Sequence, residues 1–409
     1  MSKLDDLINK LCPVGVEYKT LGEVAIVTKL AGFEFTKYVK YSETGNIIAL
    51  RGLNVKNGQL NLDDVKYIDE SDFTKLNRSK LFINDMLFTY VGTVGQVALV
   101  DMNDKYYLAP NVALIRFEDK KTYPPFMKYV FQSSDFQRNQ IDRYSGESSM
   151  KNLTMENIRK FKIPVPPLEV QNEIVHVLDK FTSLEAELEA ELEARRKQYE
   201  YYRDSLLTFG DDVEWKTLKE IAIHSCSGGT PLKNKSDYYT NGTIPWLRTG
   251  EVKFNEIYKT EEFITELAVK ETSAKWIPEN CVIVAISGAT AGRCAINKIP
   301  LTTNQHCLNI EINPNRALYK YVYYCIVNQQ DELLGKKEGA RGDLNSSRIL
   351  GLKIPLPSLS EQERIISILD RFEKLCNDIT TGLPAEIKAR HKQYEYYRDK
   401  LLTFKRKEA

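Results

Sequence analysis

Motifs that carry chemistry are what this sequence most conspicuously lacks. It has no GxxxxGK[ST] phosphate loop, no GxGxxG opening a helix, no HExxH and no GxSxG. The four histidines (His176, His224, His306, His391) lie far apart, and the seven cysteines (Cys12, Cys226, Cys281, Cys294, Cys307, Cys325, Cys376) never form a CxxC pair. An odd, scattered set reads as reduced thiols in a cytoplasmic protein, not as a disulfide frame or a zinc site. No stretch approaches the roughly 20 apolar residues of a membrane span, and the opening MSKLDDLINK lacks the apolar core of a secretory signal. A chain with no catalytic set and no metal set is expected to bind rather than to catalyse.

What is present begins with size. At 409 residues the chain exceeds one ordinary core and suggests two or three domains. Strong charge of one sign is also absent overall, since the net is +1. That average hides an acidic stretch: Leu168 to Glu193 holds eight acids and one base, a local −7, which leaves +1 − (−7) = +8 for the rest. An acidic rod joined to mildly basic globular parts is compatible with a DNA partner.

The dominant feature is an internal repeat. RRKQYEYYRDSLLTF (195–209) returns as RHKQYEYYRDKLLTF (390–404), with thirteen of fifteen residues unchanged. Upstream, VEYKTLGEVA (16–25) matches VEWKTLKEIA (213–222), IIALRG (47–52) faces IPWLRT (244–249), and DMLFTYVGTVGQVAL (85–99) loosely faces NCVIVAISGATAGRCAI (280–296). FKIPVPPLEVQNEIVHVLDKF (161–181) matches LKIPLPSLSEQERIISILDRF (352–372) nearly position by position. The order is the same in both halves, so each half is a variable block of roughly 150 residues followed by a similar helical block.

The variable blocks carry β-rich runs (MLFTYV, VALIRF, CVIVAI, CLNIEI) between Gly, Asn and Asp turns, and are expected to be mixed α/β globules with a substantial sheet. KIPVPP and KIPLPS read as extended lead-ins to helices. Ser360 with Glu363 is the expected capping box of the second helix, and the first is expected to start at Leu168 or Glu169. Apolar residues then recur at threes and fours: Ile174, Val177, Leu178, Phe181, Leu184, Leu188 and Leu192 in one half, Ile365, Leu369, Phe372 and Leu375 in the other. That is an amphipathic stripe needing a partner helix. Helix running to Phe209 would span about 63 Å. The two blocks differ by four residues. Ile163 and Ile354 are 191 apart while Lys197 and Lys392 are 195 apart; LEAELEAELEAR (184–195) is built of LEAx tetrads, whereas CNDITTGLPAEIKAR (376–390) contains Gly382 and Pro384, which should break the helix.

Candidate contacts come from matched positions. Arg51 and Arg248 with Thr249 follow apolar runs; Tyr90 and Thr93 sit in one Gly-rich loop, Ser287, Thr290 and the adjacent Arg293 in or beside the other; Ser148 and Lys151 lie in the polar loop 145–151, and Arg341 in 339–343. Arg suits guanine O6 and N7, although an Arg after a strand also pairs with an internal carboxylate. Tyr199, Tyr201, Tyr202 and Arg203, with Tyr394, Tyr396, Tyr397 and Arg398, read either as a basic-aromatic surface for nucleic acid or as helix packing and partner docking. Docking or packing is favoured, because the segment is nearly the same beside two different variable blocks. His306 with Cys307 could ligate a metal, but a turn-flanked strand is the simpler setting. SGGTPLKNKS (227–236) could cradle an anion or be a plain loop.

The pattern of variable block, KIPxPxLxxQ lead-in and long helix ending in (R/H)KQYEYYRDxLL, written twice, resembles the specificity subunit of type I restriction-modification systems. The LEAx tetrads look like that family's spacer repeats, and WLRTG (246–250) with GGTP (228–231) like a common class of its target recognition domains. The first block departs from that class, with IIALRGLNV and no GGTP, which suggests an asymmetric target.

The resemblance implies a target recognition domain over 1–165, a spacer helix over 166–209, a second recognition domain over 210–356 and a C-terminal helix over 357–409. The implied architecture is two mixed α/β domains with sheet-rich cores, separated by two long antiparallel coiled-coil helices in a pseudo-two-fold repeat. It implies double-stranded DNA as a partner, read at a bipartite site. Two modification subunits would use S-adenosylmethionine, and restriction subunits would use ATP and Mg. The chain itself would hold no cofactor, no metal and no catalytic residue. A stand-alone bipartite DNA binder and a coiled-coil adaptor are the alternative readings.

Overall fold

The computed structural model describes residues 3–145, 152–335, 344–378 and 380–407. It divides into two compact units, residues 1–189 with 386–409 and residues 190–385. One helix, Leu168–Leu206, is continuous for 39 residues and runs from the first unit into the second. At 1.5 Å per residue it is about 58 Å long. It stops three residues short of Phe209.

Each unit is built on the same sheet. In the first, the strand order is Ala25–Lys29, Val112–Phe117, Met86–Thr89, Val97–Leu99, antiparallel throughout. In the second it is Ala222–Ser227, Cys307–Ile312, Val282–Ala285, Cys294–Asn297, extended by Asn255–Ile257. The expected runs MLFTYV, VALIRF, CVIVAI and CLNIEI form the centre of these sheets. A smaller sheet in each unit contains the strand before the matched arginine: Ile48–Leu50 lies parallel to Tyr106–Leu108, and Ile244–Leu247 parallel to Leu301–Thr303. Met86, Phe88, Ala113 and Ile115 project into one core of the first unit and Leu87, Val112 and Leu114 into another, because alternate residues of a strand face opposite ways. Burying a side chain of this size contributes roughly 1.5–3 kcal/mol.

The two repeated lead-ins close each unit. Tyr18–Thr20 pairs antiparallel with Lys162–Pro164, and Glu214–Thr217 with Lys353–Leu356. The glutamine that follows each lead-in is fully buried and bonded through both its amide oxygen and its amide nitrogen. Gln171 accepts from the Tyr123 N–H (2.9 Å) and donates to the carbonyls of Lys121 and Pro166. Gln362 likewise accepts from the Leu318 N–H (2.9 Å) and donates to Pro357. An apolar residue there would strand a buried N–H, which is costly. About two turns further on, the buried Tyr129 hydroxyl donates to Asp179 (2.5 Å) and that of Tyr324 to Asp370 (2.6 Å).

The second helical block is interrupted, as Gly382 and Pro384 foretold. Helix Leu359–Asn377 ends, and Leu383–Leu401 begins with Pro384 in its first turn, where the missing N–H does no harm. The N-cap of Leu359–Asn377 is Ser358, whose side chain accepts from the Glu361 N–H, not the expected Ser360 with Glu363. Strand Lys353–Leu356 ends only two residues, Pro357 and Ser358, before the helix, so the cap falls two residues earlier.

Candidate nucleic-acid interface

Arg51 and Arg248 occupy the same built position. Each follows the last residue of its strand and caps a single 3-10 turn, Gly52–Asn54 or Thr249–Glu251. The Arg51 N–H donates to Asn54 Oδ1 (3.0 Å), and the Arg248 N–H to Glu251 Oε1 (3.1 Å). The second link differs in kind but not in place: Asn54 Nδ2 holds the Asp64 carbonyl (2.7 Å), while Glu251 Oε2 holds the Glu261 N–H (2.9 Å). The acid so positioned grips the guanidinium. Arg51 Nη2 meets Asp64 Oδ1 at 2.8 Å, and Arg248 Nη2 meets Glu261 at 3.3 Å with Nη1 on Glu262 at 2.9 Å. Both arginines therefore pair with carboxylates, the alternative that the sequence leaves open for an Arg after a strand.

In the first unit the Gly-rich loop lies beside its turn, both lining one cleft. Gly92 and Gly95 (φ +79° and +93°) and Gly288 and Gly292 (φ +69° and +92°) hold a left-handed backbone that favours glycine. Thr93 is exposed at the first loop, where its carbonyl accepts from the Thr89 hydroxyl at 2.5 Å. Arg51, Thr89, Thr93 and Asn111 line an open cleft of about 520 Å³ with Phe35 and Tyr41, whose rings meet edge-on at 5.6 Å. In the second unit Ser287 and Thr290 are half-buried at the loop, Thr249 lies on the turn after Arg248, and Arg293 follows Gly292. Tyr90 stands apart from the other candidates. It is 8% exposed and packs in the core, with Lys29 Nζ 5.5 Å from its ring centre, and burial raises its hydroxyl pKa.

Ser148, Lys151 and Arg341 lie outside the described residues. The flanks of their loops are anchored to the Gly-rich loops: Leu153 N–H donates to the Tyr90 carbonyl (2.9 Å) and Leu344 N–H to that of Ile286 (2.7 Å).

The GGTP stretch is explained by close packing. A Cβ on Gly228 would collide with the Thr303 carbonyl, and one on Gly229 with the backbone of Ser273 and Ala274. Cys307 is buried in its strand with its thiol on Asn304, and His306 meets Gln305, so neighbouring His306 and Cys307 serve the strand and its turn.

The repeated tyrosines divide by position. Within the second unit, Tyr202 stacks on Phe372 (5.3 Å between ring centres) and Tyr199 packs beside the same ring (6.5 Å); Arg203 donates to Asn328. Within the first, Tyr397 stacks on Phe181 (5.4 Å), Tyr394 meets Tyr129 (6.4 Å), and Arg398 reaches Ser134. Burial pushes the Tyr394 hydroxyl up to about 12. The helices in each unit are antiparallel: Glu185 meets His391 while Phe181 meets Tyr397. The segment from one repeat thus clamps the variable block of the other. Of the repeated tyrosines the middle ones, Tyr201 at 69% and Tyr396 at 61%, are the most exposed, while Tyr202 keeps 38% of its surface open.

This doubled arrangement has known counterparts. The model of the type I restriction modification DNA specificity domain matches twice, over residues 13–194 and 210–389. The chain belongs to this family. Among family members, the EcoR124I/EcoR124II specificity subunit of Escherichia coli is 34% identical, covering 100% of this chain and 99% of that protein. A putative specificity subunit of Haemophilus influenzae is also 34% identical, over 65% of this chain and 69% of its own length. Two solved structures share the fold. A chain from a study of type I complex assembly and conformational transition has a TM-score of 0.63 at 16% identity, covering 95% of this chain and 97% of that one. The specificity subunit of M. genitalium has a TM-score of 0.55 at 15% identity, covering 95% and 96%. The family's two-domain plan and long helices are those described above.

Proposed function

We propose that this chain is the sequence-reading subunit of a type I restriction-modification complex. Each unit reads one half of a bipartite, asymmetric target in double-stranded DNA, and the chain supplies recognition without chemistry. The observation that carries this reading is one fold written twice with different side chains at matched loops: Arg51 with Asp64 and Gln96 in one unit, Arg248 with Glu261, Glu262 and Arg293 in the other. Lysine and arginine contacts to phosphate supply salt-dependent affinity, and base-edge contacts supply sequence. Joining two modest readers in one chain multiplies their affinities when the half-sites are correctly spaced.

Two modification subunits bind S-adenosylmethionine, methylate adenine and dock on the helical blocks, where Tyr201 and Tyr396 offer exposed rings. Restriction subunits add ATP- and Mg-dependent translocation and cleavage. DNA as the target places the complex in the cytoplasm.

The test is a single-molecule map of adenine methylation in the native cell with and without this gene. Loss of one two-part motif with an unspecified gap is the expected result. No loss, in cells shown to express the modification subunit, would overturn the reading in favour of a stand-alone binder or an adaptor.

A further inference from the structure

Resting on that reading, we infer that the two units read guanine through guanidinium groups at non-equivalent positions, Arg51 in the first and Arg293 in the second, and that Arg248 is a strut. The fold makes Arg51 and Arg248 equivalent, so the difference lies in what surrounds them. Arg51 is held by one carboxylate, through Nη2 alone. Its Nη1 has no hydrogen-bond partner among the described residues, and the residue lines the open cleft. Arg248 has both terminal nitrogens on acids, Nη2 on Glu261 and Nη1 on Glu262. The sheet register identifies the source of the second acid. Glu262 lies opposite Trp246, and the residue opposite the matched Ala49 is Lys66. An acid that neutralises the arginine in one unit is thus replaced by a base in the other.

The next position reverses the pattern. Gln96 and Arg293 are equivalent: the Thr89 N–H donates to the Gln96 carbonyl (3.0 Å) and the Ala285 N–H to that of Arg293 (2.8 Å). The Gln96 side chain is engaged, accepting from the Asn57 N–H at 3.0 Å. The half-exposed Arg293 side chain makes no hydrogen bond or ion pair among the described residues. Each unit therefore offers one guanidinium with free N–H groups beside its Gly-rich loop, at a different matched position. Guanine presents O6 and N7 in the major groove, and a guanidinium with free N–H groups meets them. A guanidinium with both ends on carboxylates would have to break a charge-assisted pair first.

The test uses the full chain assembled with its modification subunits and a library of degenerate duplexes, with the retained DNA sequenced. Wild type should retain a two-part motif. Arg51→Ala should erase the preference for one guanine in one half-site, by about tenfold or more, and leave the other half intact. Arg293→Ala should do the same in the other half. Arg248→Gln should leave the base preferences of both halves unchanged. Arg248→Lys, which keeps a cation for the two acids, serves if the glutamine variant fails to fold.

If Arg51→Ala or Arg293→Ala instead weakens retention on all sequences alike with a shallower salt dependence, those residues contact phosphate and the inference falls. It falls equally if either Arg248 variant erases a base. Wild type that retains no two-part motif would overturn the recognition reading itself, a result distinct from both.

Discussion

Gly228 shows how much a single residue can mean in this chain. Any side chain there meets the Thr303 carbonyl on a neighbouring strand, within a network in which Asn309 donates to Thr303 (2.8 Å) and Trp246 to the Gly229 carbonyl (3.0 Å). Gly228→Ala should therefore lower the unfolding midpoint of the second unit by overpacking worth about 1–3 kcal/mol; an unchanged melting curve would contradict this. Glu373 makes a second residue-scale prediction. It faces the Tyr323 and Tyr324 hydroxyls (3.5 and 2.7 Å), with Asp370, Glu256, Lys320, Tyr199 and Cys294 around it, and burial raises its pKa. Folding thus disfavours its ionised form. The stability it contributes is fully present below the ordinary Glu value and is lost as pH rises through the raised one. Glu373→Gln should melt higher than wild type near neutral pH, with the gap closing toward about pH 4. A gap that widens on acidification would reverse the sign.

These sites were legible to different degrees. The matched arginines could be found because each follows an apolar run at an equivalent place in a repeat. Their acids could not, since Asp64, Glu261 and Glu262 reach them only through a turn and a sheet register that no local pattern encodes. Tyr90 misleads for a related reason: a loop-edge aromatic looks available until the strand beside it turns the ring inward.

Among the elements, the two helical blocks repay comparison. The apolar spacing foretold both helices and that each would need a partner, and Ile174, Leu178, Ile365 and Leu369 are fully buried. Leu184 and Leu375 continue the stripe but stay 46% and 36% exposed, so periodicity alone overstates the seam. The break was readable from Gly382 and Pro384, though not its construction. Gly382 sits against the end of the preceding helix, where a Cβ would approach the Lys374 carbonyl at 2.6 Å, and Asp378 accepts from Thr380 and Thr381. Those bonds hold the Asp378 carboxyl below its usual range. The uninterrupted helix carries the tetrads. Removing Leu188 to Glu191 would shorten it by about 6 Å and rotate its C-terminal half by about 40°, little enough to keep the same residues facing inward. The expected outcome is a preferred target with a shorter gap and unchanged half-site bases, read by the same retained-duplex sequencing; altered bases would mean that the rod does more than set distance.

At the scale of the whole molecule, order along the chain and membership of a unit do not coincide. The second unit is one contiguous stretch, 190–385, while the first requires 386–409 to be added to 1–189. That last stretch is integral. Val16 N–H donates to the Lys405 carbonyl (2.8 Å), Lys407 N–H to that of Val16 (2.9 Å), and Phe404 packs at 6.3 Å from Phe126. A chain ending at Ala385 should keep slow hydrogen exchange in the second unit and lose it across Phe126 to Phe136, measured by mass spectrometry; protection retained in both would contradict the division. The same feature sets a timetable for synthesis. The first recognition block leaves the ribosome with its apolar face uncovered and must wait for residues 386–409, while the block made between them can already be complete. The part of the protein translated first is the part that finishes folding last.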